Sequence, residues 1–417
     1  MIKEKKGLTW YKVIYISVSI YIFIGGTFSK RQKRRRYRSM MEKKNYRNVF
    51  VEMGISEDAV QKRLEEVKQF FFYGGEDKQV YYPVGEDMGY IMDVGSNDVR
   101  TEGMSYGMMF CVQLDMKEEF DRIWKWAKTY MYMEDGLNGG FFSWSCSTDG
   151  NKNDSGPASD GEEFFAMALF FASHRWGDGE GIYEYSKQAR EILHDCLHNG
   201  RGGRGELPMW NLENYQIKFV PTLDFTDPSY FLPHFYELFA LWANEEDREF
   251  WKKAADAGRD FLIKTCHPVT GFSPEYAEYD GSPMSRKFEW MGDRHDWFFS
   301  DSYRTVANIG LDYEWFGIDK GQCAAAANMQ RYLIEYARKN EYYKWKIDGT
   351  KAQEESIYNL AIPVTVAQSV LAAETEFSKE WVEKFWNLPM NTGTWRYYDN
   401  CLYMFAFLAL SGNYRVY

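Results

Sequence analysis

"TEGMSYGMMFCVQLDMKEEFDRIWKWAKTYM", from Thr101 to Met131, holds two helical stretches of opposite character on either side of Asp115. The first is apolar on almost every side. The second carries charges on one side and Phe120, Ile123 and Trp124 on the other. A helix that is apolar all round is buried on most faces, whereas an amphipathic one is buried on a single face. The same alternation recurs along the chain: "FFAMALFFA" (164–172) and "CLYMFAFLALSG" (401–412) are of the first kind, and "EDREFWKKAADAGRDFL" (246–262) is of the second. An inner ring of buried helices inside an outer ring of amphipathic ones accounts for both kinds, and the fold expected is an all-α toroid whose helix pairs close on themselves.

Helical spacing predicts about twelve helices, over 56–72, 103–114, 117–133, 161–176, 183–197, 229–244, 246–265, 301–315, 319–338, 364–375, 379–386 and 400–410. Ser56 caps the first of these. No sustained period-two strand pattern competes, and no Pro- or Ser-rich linker splits the chain after residue 45, so one large helical domain is expected there. A toroid has a concave end built from loops and the starts of inner helices, and Glu102 stands at one of those starts.

Taken alone, Glu102 reads as a first-turn carboxylate that favours the positive end of the helix dipole. Asp160 in "PASDGEEFFAMALFF" and Asp301 in "FFSDSYRTVANIGLDYEWFG" stand in the same context, where a Gly- or Ser-containing turn leads into an apolar helix. Each is a good N-cap candidate by itself. Together in a toroid they face one cleft, and crowded like charges raise at least one pKa. Hydrolysis of a glycosidic bond needs this: one carboxyl kept protonated as acid and one ionised as base.

Bulk properties narrow the alternatives. A net charge of −11 over 417 residues argues against a general nucleic-acid binder, which needs a basic surface to displace counterions. Fifteen Trp, 31 Tyr and 30 Phe supply core filler and stacking platforms for sugar faces. The six cysteines never form a Cys-x-x-Cys pair, so reduced thiols are expected in a cytoplasmic protein. His194 and His198 in "HDCLH" have the i, i+4 spacing of a helical metal pair, but no third ligand is evident, and no metal is expected. "DGNKND" from Asp149 lacks the glycine of a calcium loop and reads as a polar turn. "NGRGGRGE" is a lone glycine-rich loop with no strand-to-helix context, so no nucleotide cofactor is expected.

"VIYISVSIYIFIGG" (13–26) is apolar but short for a bilayer span, and "KRQKRRRYR" follows it. Residues 1–40 read as a marginal membrane anchor, with the rest of the chain kept on the cytoplasmic side by the basic flank, or as a non-native extension ahead of a start near Met40 or Met41. Weak membrane association through this segment is the expectation in the first case.

Several longer motifs resemble glycoside hydrolase family 8, especially its reducing-end xylose-releasing exo-oligoxylanase branch. They are "TEGMSYGMM", "SDGEEFFAMALFFASHRWG", "DPSYFLPHFYELFALWA", "FFSDSYR" with "ANIGLDYEWFG", and "RYYDNCLYMFAFLALSGN". The resemblance covers about 46–417 and implies an (α/α)6 barrel, with 41–417 as the catalytic domain. It also implies an inverting mechanism on β-1,4-linked sugars, here xylo-oligosaccharides; no cofactor is expected, and a monomer is the expected working unit. By the same resemblance Glu102 is the general acid, Asp301 the base that activates water, and Asp160 the third carboxylate that binds the distorted sugar. Tyr230 and Arg304 orient the water and the base. Tyr398, with Tyr397 nearly as good, adds a tyrosine to that shell, Trp144 is a stacking platform, and Arg100 supports Glu102. An inverting pair is expected roughly 6.5 to 9.5 Å apart.

Two departures bear on specificity. The exo-acting branch closes its aglycone end with a loop containing Leu-His-Pro, for which this chain offers Ala361, Ile362 and Pro363 in "IYNLAIPVT". The loop "SPMSRKFEWMGDRHDW" before Asp301 is longer than in that branch, and Trp290, Trp297 or His295 either rebuild the wall or pack the loop. The alternatives are an endo-β-1,4-xylanase or glucanase of the same family and a non-catalytic carbohydrate-binding toroid.

Overall fold

The computed structural model describes residues 46–198, 207–289, 291–292 and 295–417. The N-terminal segment 1–40 with its boundary at 41, the glycine-rich loop at 199–206 and Trp290 lie outside these residues.

After a four-residue helix α1 (Val49–Glu52), outer and inner helices alternate. The outer set is α2 (Glu57–Tyr73), α4 (Lys117–Trp126), α6 (Tyr185–His198), α8 (Arg248–Thr265), α10 (Cys323–Lys339) and α12 (Ser378–Asn387). The inner set is α3 (Thr101–Leu114), α5 (Ser159–Trp176), α7 (Pro233–Trp242), α9 (Tyr303–Phe316), α11 (Ala361–Gln368) and α13 (Arg396–Leu410). Inner helices touch in the order α3, α5, α7, α9, α11, α13 and back to α3, which closes the ring. The contrast in the opening stretch is the contrast in burial. Every residue of α3 is buried except Glu102 and Leu114, whereas α4 buries only Phe120, Ile123, Trp124 and Trp126.

The centre of the ring is filled by aromatic rings from four inner helices. Tyr106 of α3 meets Phe164 of α5 edge-on at 4.7 Å, Phe164 meets Phe235 of α7 at 4.9 Å, and Phe405 of α13 meets Tyr106 at 4.9 Å. Such edge-to-face pairs each add about 0.5–1.5 kcal/mol beyond the area they bury. Most of the aromatic content is therefore core. Inner helices also approach closely through glycine: a Cβ on Gly161 would stand 2.5 Å from Thr101 Cβ, so only hydrogen fits where α5 crosses the start of α3.

All twelve predicted helices are present, with differences at their starts. The stretch predicted as one helix from 229 is a 3-10 turn (Pro228–Tyr230) followed by α7, because Pro228 and Pro233 each lack the N–H that a continuing helix needs and each opens a new one. Asp301 likewise sits in a 3-10 turn (Ser300–Ser302) ahead of α9, and α4 loosens into a π turn over Ala127–Met131. Short antiparallel pairings escaped the pattern reading: β1 (Tyr81–Val84) with β2 (Met88–Ile91), β3 (Val99–Arg100) with β4 (Ser145–Cys146), β5 (Trp210–Asn211) with β6 (Gln216–Ile217), and a three-stranded sheet of β7 (Trp297–Phe298), β8 (Tyr343–Lys346) and β9 (Lys351–Glu355). Strands of two to five residues are too short to display alternation. No helix among the described residues is long and apolar enough to cross a membrane.

Candidate active site

At one end of the inner ring lies a cleft of about 790 Å³ bordered by Glu102, Asp160, Tyr230, Asp301, Trp144, Arg100, Tyr397 and Tyr398. None of the three carboxylates caps its own helix: no side-chain bond closes the start of α3 or α5, and the turn before α9 is closed by Ser302 Oγ, which accepts from Phe299 N at 2.8 Å, and not by Asp301. They turn instead to Arg304, in the first turn of α9. Its Nη1 donates to Glu102 Oε2 at 2.8 Å, to Asp160 Oδ2 at 3.2 Å and to the Tyr106 hydroxyl at 2.6 Å. Nη2 lies 3.3 Å from Asp301 Oδ1. One planar guanidinium thus holds Glu102 and Asp301 on different nitrogens, and its width, with these two contacts, sets the upper limit of their separation.

Burial and like charge shape the proton affinities. Burial, aided by Asp301 and Asp160, pushes the Glu102 carboxyl up to about 7 against the pull of Arg304 and of the Tyr397 hydroxyl, which donates to Glu102 Oε1 at 2.8 Å. Asp160 is raised as well, again by burial first. A carboxyl near 7 is half protonated at neutral pH, the condition under which it can give a proton away.

The remaining predicted residues fall around this cluster. Tyr230 is buried in the 3-10 turn before α7, its ring stacked on Phe219 and the Arg304 guanidinium 5.5 Å from its centroid. Tyr398 and Tyr397 open α13 side by side but divide the work: Tyr397 bonds Glu102, whereas Tyr398 donates to the carbonyl of Ser300, next to Asp301, at 2.9 Å. Ser300 has φ +51°, a left-handed turn that brings this carbonyl round. Trp144 and Arg100 are joined by the β3–β4 pairing, with the Arg100 guanidinium 5.6 Å from the Trp144 ring.

Two expectations are corrected here. The bonds of Arg100 run to Asp93 and Asp98, at 3.0 Å each, and to Ser96, and not to Glu102. Its backbone is extended at the edge of β3, which turns its side chain toward the Asp93–Asp98 turn, and the direct support of Glu102 comes from Arg304 and Tyr397. Ala361, Ile362 and Pro363 form the buried first turn of α11 and do not face the cleft. The residue of that segment that does border it is Tyr358, packed edge-on against Tyr398 with centroids 5.0 Å apart. Of the loop before Asp301, His295 packs: its ring stacks on Tyr276 at 4.7 Å and its Nδ1 lies 2.5 Å from Glu275 Oε2. Trp297 pairs through its backbone in β7.

Sequence reading passed over two members of the cluster. Tyr106 is four residues after Glu102 and so on the same helical face, a spacing that signals it. Asp227 is fully buried, with Oδ2 4.0 Å from Arg304 Nη2, and its carboxyl is pushed well up by burial and by Asp301. Its position before Pro228 disguises it as a plain cap, which it also is: Oδ1 accepts from Ser229 N at 2.7 Å.

A closed double ring of helices with an acid held near neutral and a second carboxylate across one arginine defines a glycoside hydrolase. The sequence pattern of Glycosyl hydrolases family 8 matches residues 85–412, and the chain belongs to that family. It is 53% identical over 375 residues to the reducing end xylose-releasing exo-oligoxylanase of Halalkalibacterium halodurans, covering 89% of this chain and 95% of the relative. It is 52% identical to the reducing-end xylose-releasing exo-oligoxylanase Rex8A of Paenibacillus barcinonensis, over 89% of this chain and 97% of the relative. The structure of Rex8A complexed with xylose superposes with a TM-score of 0.86, covering 89% of this chain and 98% of that one. Endoglucanase C of Ruminiclostridium cellulolyticum is more distant, at 25% identity over 77% of this chain and 65% of its own length.

Proposed function

We propose that this chain is an inverting glycoside hydrolase that takes β-1,4-linked xylo-oligosaccharides and releases xylose from the reducing end. The observation that carries the mechanism is the Glu102–Arg304–Asp301 bridge, together with the raised proton affinity of Glu102. Glu102 protonates the leaving-group oxygen. Asp301 takes a proton from a water that attacks the opposite face of the sugar, so the configuration at that carbon inverts. Asp160, ionised against Arg304, holds the distorted sugar and adds to the field that keeps the Glu102 proton in place. Tyr230 orients the attacking water beside the base, and Trp144, with Arg100 against its ring, offers an apolar face for a sugar further along the cleft.

The exo assignment rests on the 48–53% identity to three relatives of that activity. Tyr358, a ring at the cleft margin braced by Tyr398 and Phe299, supports that reading as a candidate wall.

The test is turnover of xylotriose and xylotetraose by variants. Glu102→Ala and Asp301→Asn lower kcat by about 100- to 10,000-fold, the share that general acid–base catalysis contributes, while sugar binding is largely kept. Tyr358→Ala keeps turnover but shifts products from single xylose toward longer fragments. Undiminished kcat in either carboxylate variant would sink the role assignment, and an unchanged product pattern in Tyr358→Ala would remove the wall.

A further inference from the structure

The His194–His198 pair, which lacks a third ligand in the sequence, acquires one in the fold. Asp247, 53 and 49 residues further on, belongs to the 3-10 turn that opens α8 and reaches across to the last turns of α6. Its Oδ2 is 3.3 Å from His194 Nδ1 and its Oδ1 is 2.7 Å from His198 Nε2. The two imidazole rings are tilted by only 35° with centroids 4.3 Å apart. One ligand atom from each of the three residues lies within 4.8 Å of the others, and this is the group of that kind found among the described residues.

We propose that His194, His198 and Asp247 form a three-ligand site for a divalent transition-metal ion, with zinc the best fit, on the outer ring and away from the cleft. Two imidazole nitrogens and one carboxylate are a borderline-soft donor set, which favours zinc and its neighbours over calcium or magnesium, whose sites are built of oxygen. Ligand atoms about 2.0–2.2 Å from a tetrahedral ion stand roughly 3.3 Å from one another, so small rotations of two side chains bring all three into range. The histidines are 42% and 50% exposed, which leaves an approach from solvent and room for a water as fourth ligand, whereas Asp247 is 4% exposed and fixed by its turn. The ligands come from one helix and from the turn that opens another, so the bound ion is a cross-link between α6 and α8. It stabilises the shell and takes no part in turnover.

The alternative state of the same residues is a pair of imidazole N–H groups bonded to a buried carboxylate, and the experiment separates the two. Zinc is titrated calorimetrically into the full chain after chelator treatment, in parallel with a His194→Ala/His198→Ala variant, and thermal unfolding is followed for both. Expected are saturable one-to-one binding and a zinc-dependent rise in Tm in the parent. The double variant should lose more than about tenfold in affinity, a loss that even an outer-shell substitution can produce, while kcat on xylotriose stays the same in both. Both histidines are half exposed, so the variant is expected to fold, and its unfolding curve without zinc verifies this. No saturable binding to the parent, or equal binding to the variant, overturns the site.

Discussion

Glu102 meets two opposed demands. It must hold a proton against a cation 2.8 Å away, and it must release that proton to a leaving oxygen. Burial resolves the conflict, since desolvation outweighs Arg304 and leaves the carboxyl at about 7. The sign for activity follows: the acid works protonated, so kcat/KM falls as pH rises through about 7. The Tyr397 hydroxyl stabilises the ionised form, so Tyr397→Phe raises the Glu102 pKa and moves the alkaline limb upward. A pH–rate profile of both proteins checks this, and a limb that moved to lower pH would contradict it. At this scale the carboxylates were legible because each stands in a small-residue turn ahead of an apolar run. Arg304 was reachable only through the motif around Asp301. The partners of Arg100 and the second duty of Asp227 were not legible, since both depend on which side chains meet across the turn before β3 or across the ring.

The two helix types in 101–131 carry the architecture. One buries nearly every residue and the other one face, and six such alternations close the ring. This was readable because helical periodicity persists over ten or more residues. The ribbons and the 3-10 turns were not, being two to five residues long, and the pairings β3–β4 and β7–β8 are made with partners some fifty residues away. Yet those short pieces place Trp144 beside Arg100 and carry Asp301 and Tyr230, so the least legible elements hold much of the site. The tight crossing of α5 over α3 adds a prediction. Gly161→Ala would gain helix propensity, but its Cβ meets Thr101 beside Glu102, and overpacking of about 1–3 kcal/mol wins. Denaturant unfolding should show that loss together with reduced turnover, and a variant as stable as the parent would refute the close approach.

Over the whole molecule, the buried acids set a pH dependence of stability. Burial raises the carboxyls of Glu275 to about 6, of Glu102 and Asp399 to about 7, and of Glu162 to about 8. Each binds its proton more tightly in the folded than in the unfolded chain. The stability this gives is complete below the ordinary carboxyl range and is lost as pH rises through 6 to 8. Scanning calorimetry should give a Tm lower at pH 8.5 than at pH 6 by at least about 2 °C, and a Tm that rose over that interval would contradict the assignment. The central claim is inversion with release from the reducing end. It is tested most directly by following xylotetraose hydrolysis by proton NMR from the first seconds, before mutarotation. The account predicts xylotriose appearing first as the α-anomer together with an equal amount of xylose. Xylotriose appearing first as the β-anomer, or xylobiose as the main first product, would contradict it.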